Sequence, residues 1–168
     1  MLIPYKGRLP EIDPTAFVSP TAQIIGDVAV GAQSSVWFGV VIRGDVYEIR
    51  IGARTNIQDN STVHVTSGRW GTYVGDDVSV AHGAILHGCR VGNRCLIGMG
   101  AIVMDGVELE DECMVAAGSL VTPGKRVPRG HLAMGNPAKV VRELRPEEFA
   151  LIKSTAEHYV DYARTYGC

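Results

Sequence analysis

The sequence has few cysteines and few aromatic residues, and it lacks a long apolar run or an excess of charge of one sign. The four cysteines show no CxxC spacing, which excludes a dense disulfide framework and favours buried thiols in a reducing compartment. No apolar run approaches the ~20 residues of a membrane span, and the first residues are not typical of a signal peptide. The net charge of −2 offers no basic field for nucleic acid. We therefore expect a soluble, cytoplasmic protein without a membrane or nucleic acid partner.

Glycine is abundant, with 20 of 168 residues, and aliphatic residues recur with a period of six. Sixteen residues keep this phase: Ile24, Val30, Val36, Ile42, Ile51, Ile57, Val63, Val74, Val80, Leu86, Val91, Ile97, Val103, Leu109, Val115 and Val121. Such hexapeptide repeats are typical of a parallel β-helix, in which three hexads form a triangular coil with one aliphatic per face pointing inward. Successive coils then hydrogen-bond at a spacing of roughly 4.8 Å. The sequence predicts a mainly β protein.

The period is interrupted at three places, which we interpret as loops or corner adjustments. After Val121 a series of prolines and glycines predicts that the chain leaves the repeat. We therefore divide the chain into a β-helix domain, residues 1–130, and a turn followed by a C-terminal helix, residues 131–168.

A helix is predicted from Pro146 onward, because proline suits a first helical position and the apolar spacing changes to alternating threes and fours. The apolar positions are Phe149, Ile152, Ala156, Tyr159, Ala163 and Tyr166. They form one stripe, which we expect to pack along the outside of the β-helix.

The register also predicts which outward side chains stack on one another. We name the faces of the coil one, two and three by the inward residues Ile51, Ile57 and Val63. The residues that follow the inward aliphatics of face three form one column: Arg43, His64, His87 and Met104. The residues two places after the inward aliphatics of face two form a second column: Phe38, Asp59, His82 and Met99.

Three of the five histidines fall in these columns, and together they predict a metal site, although any one of them alone is more commonly a surface residue. His64 and His87 lie on adjacent coils, close enough to bind one ion. His82 lies on another face, so a third imidazole would come from a neighbouring subunit of a trimer. Three neutral imidazoles with an open position bind Zn²⁺, and equally Fe²⁺ or Co²⁺, and lower the pKa of bound water toward ~7.

Polar residues beside this site suggest further roles. Gln58 can orient a hydroxide or bicarbonate, and Asp59 lies one coil from His82. Arg43 and Asp45 lie one coil from His64, and we expect Arg43 to pair with Asp45 or Asp59 across a subunit interface, because a guanidinium suits partly buried carboxylates. An ordinary surface ion pair is the alternative.

At these residues the sequence resembles the γ-class carbonic anhydrases: an Arg-Gly-Asp turn at Arg43, the pair Gln58-Asp59, and one histidine followed by a His-x4-His pair. The resemblance covers nearly the whole chain. It implies a left-handed β-helix, a homotrimer with the metal held by two histidines of one chain and one of its neighbour, and reversible hydration of carbon dioxide to bicarbonate. It also implies interface and active-site positions for Arg43, Asp45, Gln58 and Asp59, and a place near the bicarbonate for Tyr159.

Two departures from the family pattern concern proton transfer. Val46 stands where the family prototype has a glutamate. The prototype also has an acidic loop after its first histidine, whereas the corresponding loop here, residues 66–72, contains no carboxylate. Hydration must export a proton in each turnover, so we expect weak rather than rapid activity. Three alternatives stay open: a coenzyme A-dependent acyltransferase, since the segment from Gly135 to Lys139 resembles one found in such enzymes, a metal-dependent thioester hydrolase, and a non-catalytic trimeric scaffold.

Overall fold

In the computed structural model, which describes residues 1–166, short strands wind into a parallel β-helix that ends in a hairpin and one helix. The strands are β1 Leu2–Ile3, β2 Glu11–Ile12, β3 Phe17–Val18, β4 Gln23–Val30, β5 Ser35–Val36, β6 Val41–Ile51, β7 Asn56–Ile57, β8 Thr62–His64, β9 Thr72–Val74, β10 Ser79–Val80, β11 Ile85–His87, β12 Arg90–Val91, β13 Leu96–Ile97, β14 Ile102–Val103, β15 Glu108–Leu109, β16 Met114–Val115, β17 Leu120–Val121, β18 Arg126–Val127, β19 His131–Gly135 and β20 Ala138–Glu143, followed by helix α1 Pro146–Thr165. The predicted fold class is confirmed.

The aliphatics of the six-residue period form the core. On face three, Ile42, Val63, Leu86 and Val103 pair in parallel register from coil to coil. Faces one and two repeat this arrangement, with Ile51 on Val74 and Ile57 on Val80. All of these side chains are buried, so the stability of each coil depends on its neighbours.

The prediction that the chain leaves the repeat after Val121 is wrong. The six-residue phase continues through Val127, which pairs with Leu109, and Ala133, which pairs with Val115. The glycines in this stretch have positive φ, +69° at Gly124 and +70° at Gly130, as do glycines at earlier corners. They are therefore corners of the last coil. The coil ends where β20 pairs antiparallel with β19.

Two of the three interruptions of the six-residue period have different structural causes. The extra residues before Ile51 are absorbed into β6, which runs unbroken from face three around the corner to face one. The extra residues after Val63 form a small hairpin closed by a bridge between Thr66 and Trp70. This hairpin directly follows the strand that carries His64.

The corner after face one, which we call the ladder corner, is held together by side-chain oxygens. Asp76 Oδ1 accepts a hydrogen bond from the backbone N–H of Ala53 at 2.8 Å. On the following coils, Asn93 Oδ1 accepts one from the N–H of Asp76 at 2.9 Å, and Asp111 Oδ1 accepts one from the N–H of Asn93 at 2.7 Å. The preceding glycines make room for these side chains. A Cβ on Gly75 would lie 2.6 Å from Asn93 Oδ1 and 2.9 Å from backbone atoms of the next coil.

Helix α1 packs on face two. Ile152 is buried in a cluster with Met114, Leu132 and Leu144, and Ala163 packs near Phe17 and Trp37. The predicted stripe is thus buried at Ile152, Ala156 and Ala163, whereas Phe149 and Tyr166 at its ends are exposed.

The start of α1 is fixed by Glu148. Its carboxylate accepts the backbone N–H of Arg145 at 2.8 Å and pairs with both terminal nitrogens of Arg142 at 2.7 Å. Among residues 1–166, no helix is long and apolar enough to cross a membrane.

The cysteines Cys89, Cys95 and Cys113 are buried free thiols, as expected. Burial raises the pKa of Cys89 to about 12, which keeps this thiol protonated and unreactive. Cys168, included in the same expectation, lies outside the described residues.

Candidate metal centre

His64 on β8 and His87 on β11 lie side by side on face three, as the register predicts. His64 Nδ1 and His87 Nε2 are 3.1 Å apart. Their side chains are 18% and 35% exposed, so both imidazoles can still be reached from outside the chain.

The outer nitrogen of each imidazole is held by a carboxylate. His64 Nε2 lies 3.1 Å from Asp45 Oδ1, and His87 Nδ1 lies 2.7 Å from Asp105 Oδ1. An ionised carboxylate only accepts hydrogen bonds, so these outer nitrogens are the donors. In two neutral imidazoles the facing nitrogens then both carry lone pairs.

Two lone pairs facing each other at 3.1 Å repel unless a cation or proton lies between them. Two nitrogens that bind one tetrahedral zinc ion at 2.0–2.1 Å would be roughly 3.3 Å apart. Carboxylates on the far side of metal-binding histidines are a recurrent feature of metal sites. The donor set of His64 and His87 therefore fits a divalent metal ion.

The electrostatics favour the protonation states that metal binding requires. Burial, helped by the positive charge of Arg43, lowers the pKa of His64 and so favours the neutral imidazole. Burial alone would raise the pKa of Asp45, but hydrogen bonds from Arg43 and His64 outweigh it and hold that pKa below its ordinary value. Asp45 is therefore ionised at neutral pH.

His82 lies apart from the other two, at the corner after face two. Its Nδ1 is 2.9 Å from Asp59 Oδ2, and the side chain is 47% exposed. The imidazole is therefore oriented by a carboxylate on the previous coil, as the column of Asp59 and His82 predicts. Within residues 1–166 of one chain, no three histidine, cysteine or acidic side chains converge on a possible metal position.

Gln58 is buried beneath the corner that carries Asp59. Its Nε2 donates to Asn56 Oδ1 at 2.9 Å, and Asn56 Nδ2 in turn donates to Ser79 Oγ at 2.9 Å. The amide of Gln58 is thus fixed by a buried polar chain, whereas Asp59 reaches the surface.

Arg43 and Asp45 form an ion pair within one chain, with 2.5 Å between Arg43 Nη1 and Asp45 Oδ2. Asp45 also holds His64, so the pair is part of the histidine environment. Pairing of Arg43 across a subunit interface stays a prediction.

Tyr159 of α1 lies close to Asp59. Its ring meets Trp37 edge to face, with 5.3 Å between ring centroids. Burial, followed by the negative charge of Asp59, raises the pKa of Tyr159. A cleft of about 360 Å³ is lined by Trp37, Phe38, Asp59, Tyr159, Tyr162 and Tyr166. Asp59 thus borders an aromatic cleft as well as contacting His82.

Asp105, whose carboxylate contacts His87, was not among the residues predicted from the sequence. It begins the corner after face three, one coil beyond Gly88. A Cβ on Gly88 would fall on Asp105 Oδ1, so the absent side chain of Gly88 leaves the space that the carboxylate fills. The signal in the sequence was an aspartate one position beyond the histidine column.

The chain is similar to several known proteins. A family model described as the hexapeptide repeat of succinyl-transferase matches residues 88–123. The chain is 47% identical to γ carbonic anhydrase 2, mitochondrial, of Arabidopsis thaliana, covering 95% of this chain and 59% of that protein. It is 43% identical to the carbonic anhydrase of Geobacillus kaustophilus, covering 99% of this chain and 91% of that protein.

A solved structure from Bacillus cereus, a putative acetyltransferase, superposes with a TM-score of 0.96 at 44% identity and covers 98% of this chain and 95% of that one. The chain spans about three fifths of the length of the Arabidopsis protein but nearly all of the Geobacillus carbonic anhydrase. From the hexapeptide-repeat fold and these identities, the chain belongs to the γ-class carbonic anhydrase family.

Proposed function

We propose that this protein is a metal-dependent carbonic anhydrase, which hydrates carbon dioxide reversibly to bicarbonate at a site shared by two subunits of a homotrimer. The observation that carries the proposal is the pair of facing ring nitrogens of His64 and His87, each in an imidazole whose outer nitrogen is held by a carboxylate. The names of the Arabidopsis and Geobacillus relatives support the same reaction.

The proposed ligands are His64 and His87 of one subunit and His82 of the next. Zinc, ferrous iron or cobalt held in this way would act as a Lewis acid and supply a water-derived nucleophile at neutral pH. Asp45, Asp105 and Asp59 would each orient one of these imidazoles.

Neighbouring side chains would bind and orient the substrate. The fixed amide of Gln58 suits a hydrogen bond to bicarbonate, because its position is set by Asn56. The aromatic cleft beside Asp59 offers apolar surface to carbon dioxide, and the Tyr159 hydroxyl offers a donor to bicarbonate. The high pKa of Tyr159 keeps that hydroxyl protonated at neutral pH.

The surface of face three supports the trimer. An outward stripe of mostly apolar residues runs beside the histidines: Val41, Thr62, Ile85, Ile102 and Leu120. Among the described residues, α1 covers face two and leaves this stripe open, with Ile85 exposed. At the corner that carries His82, Met99 is 61% exposed. A neighbouring subunit that packs its His82 corner against face three would bury this apolar surface and complete the donor set.

The first test is stopped-flow hydration of carbon dioxide by anaerobically purified protein, loaded separately with zinc and with ferrous iron. Metal-dependent turnover that disappears in His87→Ala but persists in the control His131→Ala supports the proposal. His131 is a suitable control because it contacts the carbonyl of Arg129, away from the paired histidines. A stoichiometrically loaded trimer without turnover would overturn it in favour of a thioester hydrolase or a scaffold.

Mixed trimers test whether the site is shared. Neither His82→Ala chains nor His64→Ala/His87→Ala chains alone could complete a site, whereas every mixed trimer would contain one interface with all three histidines. Reassembly of the two variants should therefore restore metal binding and turnover. Failure of the mixed trimers to bind metal, with wild-type trimers binding it, would contradict the shared site.

A coenzyme A-dependent acyltransferase is the second candidate. It is favoured by the likeness to the Bacillus cereus protein, described as an acetyltransferase, and by the match to the succinyl-transferase repeat. Calorimetric titration with coenzyme A distinguishes the two candidates. Tight binding by metal-free protein would favour the acyltransferase.

A further inference from the structure

The hairpin Thr66–Trp70, inserted directly after the strand of His64, is docked against the coils that carry the paired histidines. The backbone N–H of Thr66 donates to the carbonyl of Trp70 at 2.9 Å and closes the hairpin. The Trp70 side chain then lies over two glycine corners. A Cβ on Gly88 would come 2.8 Å from Trp70 Cβ, and a Cβ on Gly106 would come 3.2 Å from its ring.

The base of the hairpin connects to His87 through one carboxylate. Thr66 Oγ1 lies 3.1 Å from Asp105 Oδ1 and 3.0 Å from Oδ2, and His87 Nδ1 lies 2.7 Å from the same Oδ1. The carboxylate therefore accepts from a threonine on one side and from an imidazole on the other. The hydroxyl of Thr66 and the bulk of Trp70 restrict where Asp105 can lie.

Thr72, the first residue of β9, bonds to the backbones beside both histidines. Thr72 Oγ1 donates to the carbonyl of His64 at 2.5 Å and accepts the N–H of Gly88 at 2.9 Å. Thr72 is fully buried, so these bonds are shielded from water. Both ends of the insertion thus act on the pair His64 and His87.

We infer that the hairpin Thr66–Trp70 is a clamp that positions His87 for metal binding through Asp105. This inference rests on the proposed metal site and makes Thr66 and Asp105 positioning residues. Loss of partners that orient a metal-binding histidine typically costs about 10–100-fold in metal affinity. The clamp therefore predicts that changes several bonds away from any ligand weaken the binding of the ion.

The experiment measures the affinity of the full-length protein for Zn²⁺ by chelator competition and the visible spectrum of its Co²⁺ form. Thr66→Val and Asp105→Asn should each weaken Zn²⁺ binding about tenfold or more and shift the Co²⁺ bands. Thr66→Ser, which keeps the hydroxyl, should restore both. The matched control is Thr15→Val, which removes an equivalent threonine–aspartate hydrogen bond, to Asp13 at 2.6 Å.

Thermal unfolding accompanies each measurement. Thr66→Ala, which also removes the hydroxyl that contacts Asp105, replaces Thr66→Val should that variant fail to fold. If the wild-type protein binds metal and a folded Thr66 variant keeps the same Zn²⁺ affinity and Co²⁺ spectrum, the clamp alone is overturned, whatever the result for Asp105→Asn. Absence of metal binding by the wild-type protein would overturn the metal site and the clamp with it.

Discussion

At the ladder corner, the oxygens of Asp76, Asn93 and Asp111 accept backbone N–H groups, whereas the carboxylates of Asp45, Asp59 and Asp105 contact imidazoles. The first set lies between backbones of adjacent coils and holds the coils together. The second set contacts imidazoles, and the other ring nitrogens of His64 and His87 face each other. Side-chain oxygens in the same repeating coil thus hold adjacent coils together at one corner and contact the candidate metal-binding histidines at others.

The largest effect on stability is expected where the ladder corner is overfilled. Gly75→Ala places a Cβ against Asn93 and the backbone of the next coil, and it should lower the free energy of unfolding by about 3 kcal/mol. Gly83→Ala, beside His82, meets nothing within 4 Å and suffers only the strain of its φ of +68°, about 1 kcal/mol. Urea unfolding measures both. Equal losses would show that crowding at the ladder corner is not decisive.

Removing a charge beside a histidine should instead reduce metal affinity. Asp59→Asn keeps an acceptor for His82 Nδ1 but makes it neutral, and Zn²⁺ binding is expected to weaken about tenfold. The free energy of unfolding should change by less than about 0.5 kcal/mol, since the contact is half exposed. Chelator competition and urea unfolding separate the two effects. A loss of stability without a change in affinity would assign Asp59 to the coil rather than the site.

The pairing of His64 with His87 could be predicted from the sequence because a six-residue period fixes which residues stack. Once Val63 and Leu86 point inward on adjacent coils, the residues after them must be neighbours on the outside. The same reasoning places Asp59 beside His82. For these four side chains the phase of the repeat is sufficient information.

Asp105 and the Thr66–Trp70 hairpin could not be placed in this way. The hairpin is an insertion, so its position depends on what it packs against, namely the space over Gly88 and Gly106. Likewise, the prolines and glycines after Val121 resemble an exit from the repeat, although Gly124 and Gly130 serve as ordinary corners. Local composition indicates a turn but not whether the chain continues the coil after it.

A moderate effect on the free energy of unfolding is expected at the start of α1, the helix that covers face two. Arg142 holds the pKa of Glu148 at about 2, below its ordinary value of 4.5. Because this pKa is lower in the folded state, the ionised Glu148 stabilises the fold. Its contribution to the free energy of unfolding is complete above pH 4.5 and is lost as the pH falls toward 2. Glu148→Gln should lower the free energy of unfolding by about 1 kcal/mol at about pH 7. The difference from wild type should shrink at about pH 3, and a difference independent of pH would contradict an ionic origin.

The smallest effect is expected from Asp76→Asn at the ladder corner. Asp76 Oδ1 acts there as an acceptor for the N–H of Ala53, and an asparagine oxygen can take its place. The nearby charge of Arg54 lies 3.9 Å from Asp76 Oδ2 in an exposed pair, which contributes little. We expect a change of less than about 0.5 kcal/mol in unfolding and none in Zn²⁺ affinity. Asp76→Ala, the matched control, removes the acceptor and should cost about 1 kcal/mol. If Asp76→Asn were as damaging as Asp76→Ala, charge rather than acceptor geometry would hold the ladder, and the contrast with the histidine carboxylates would fail.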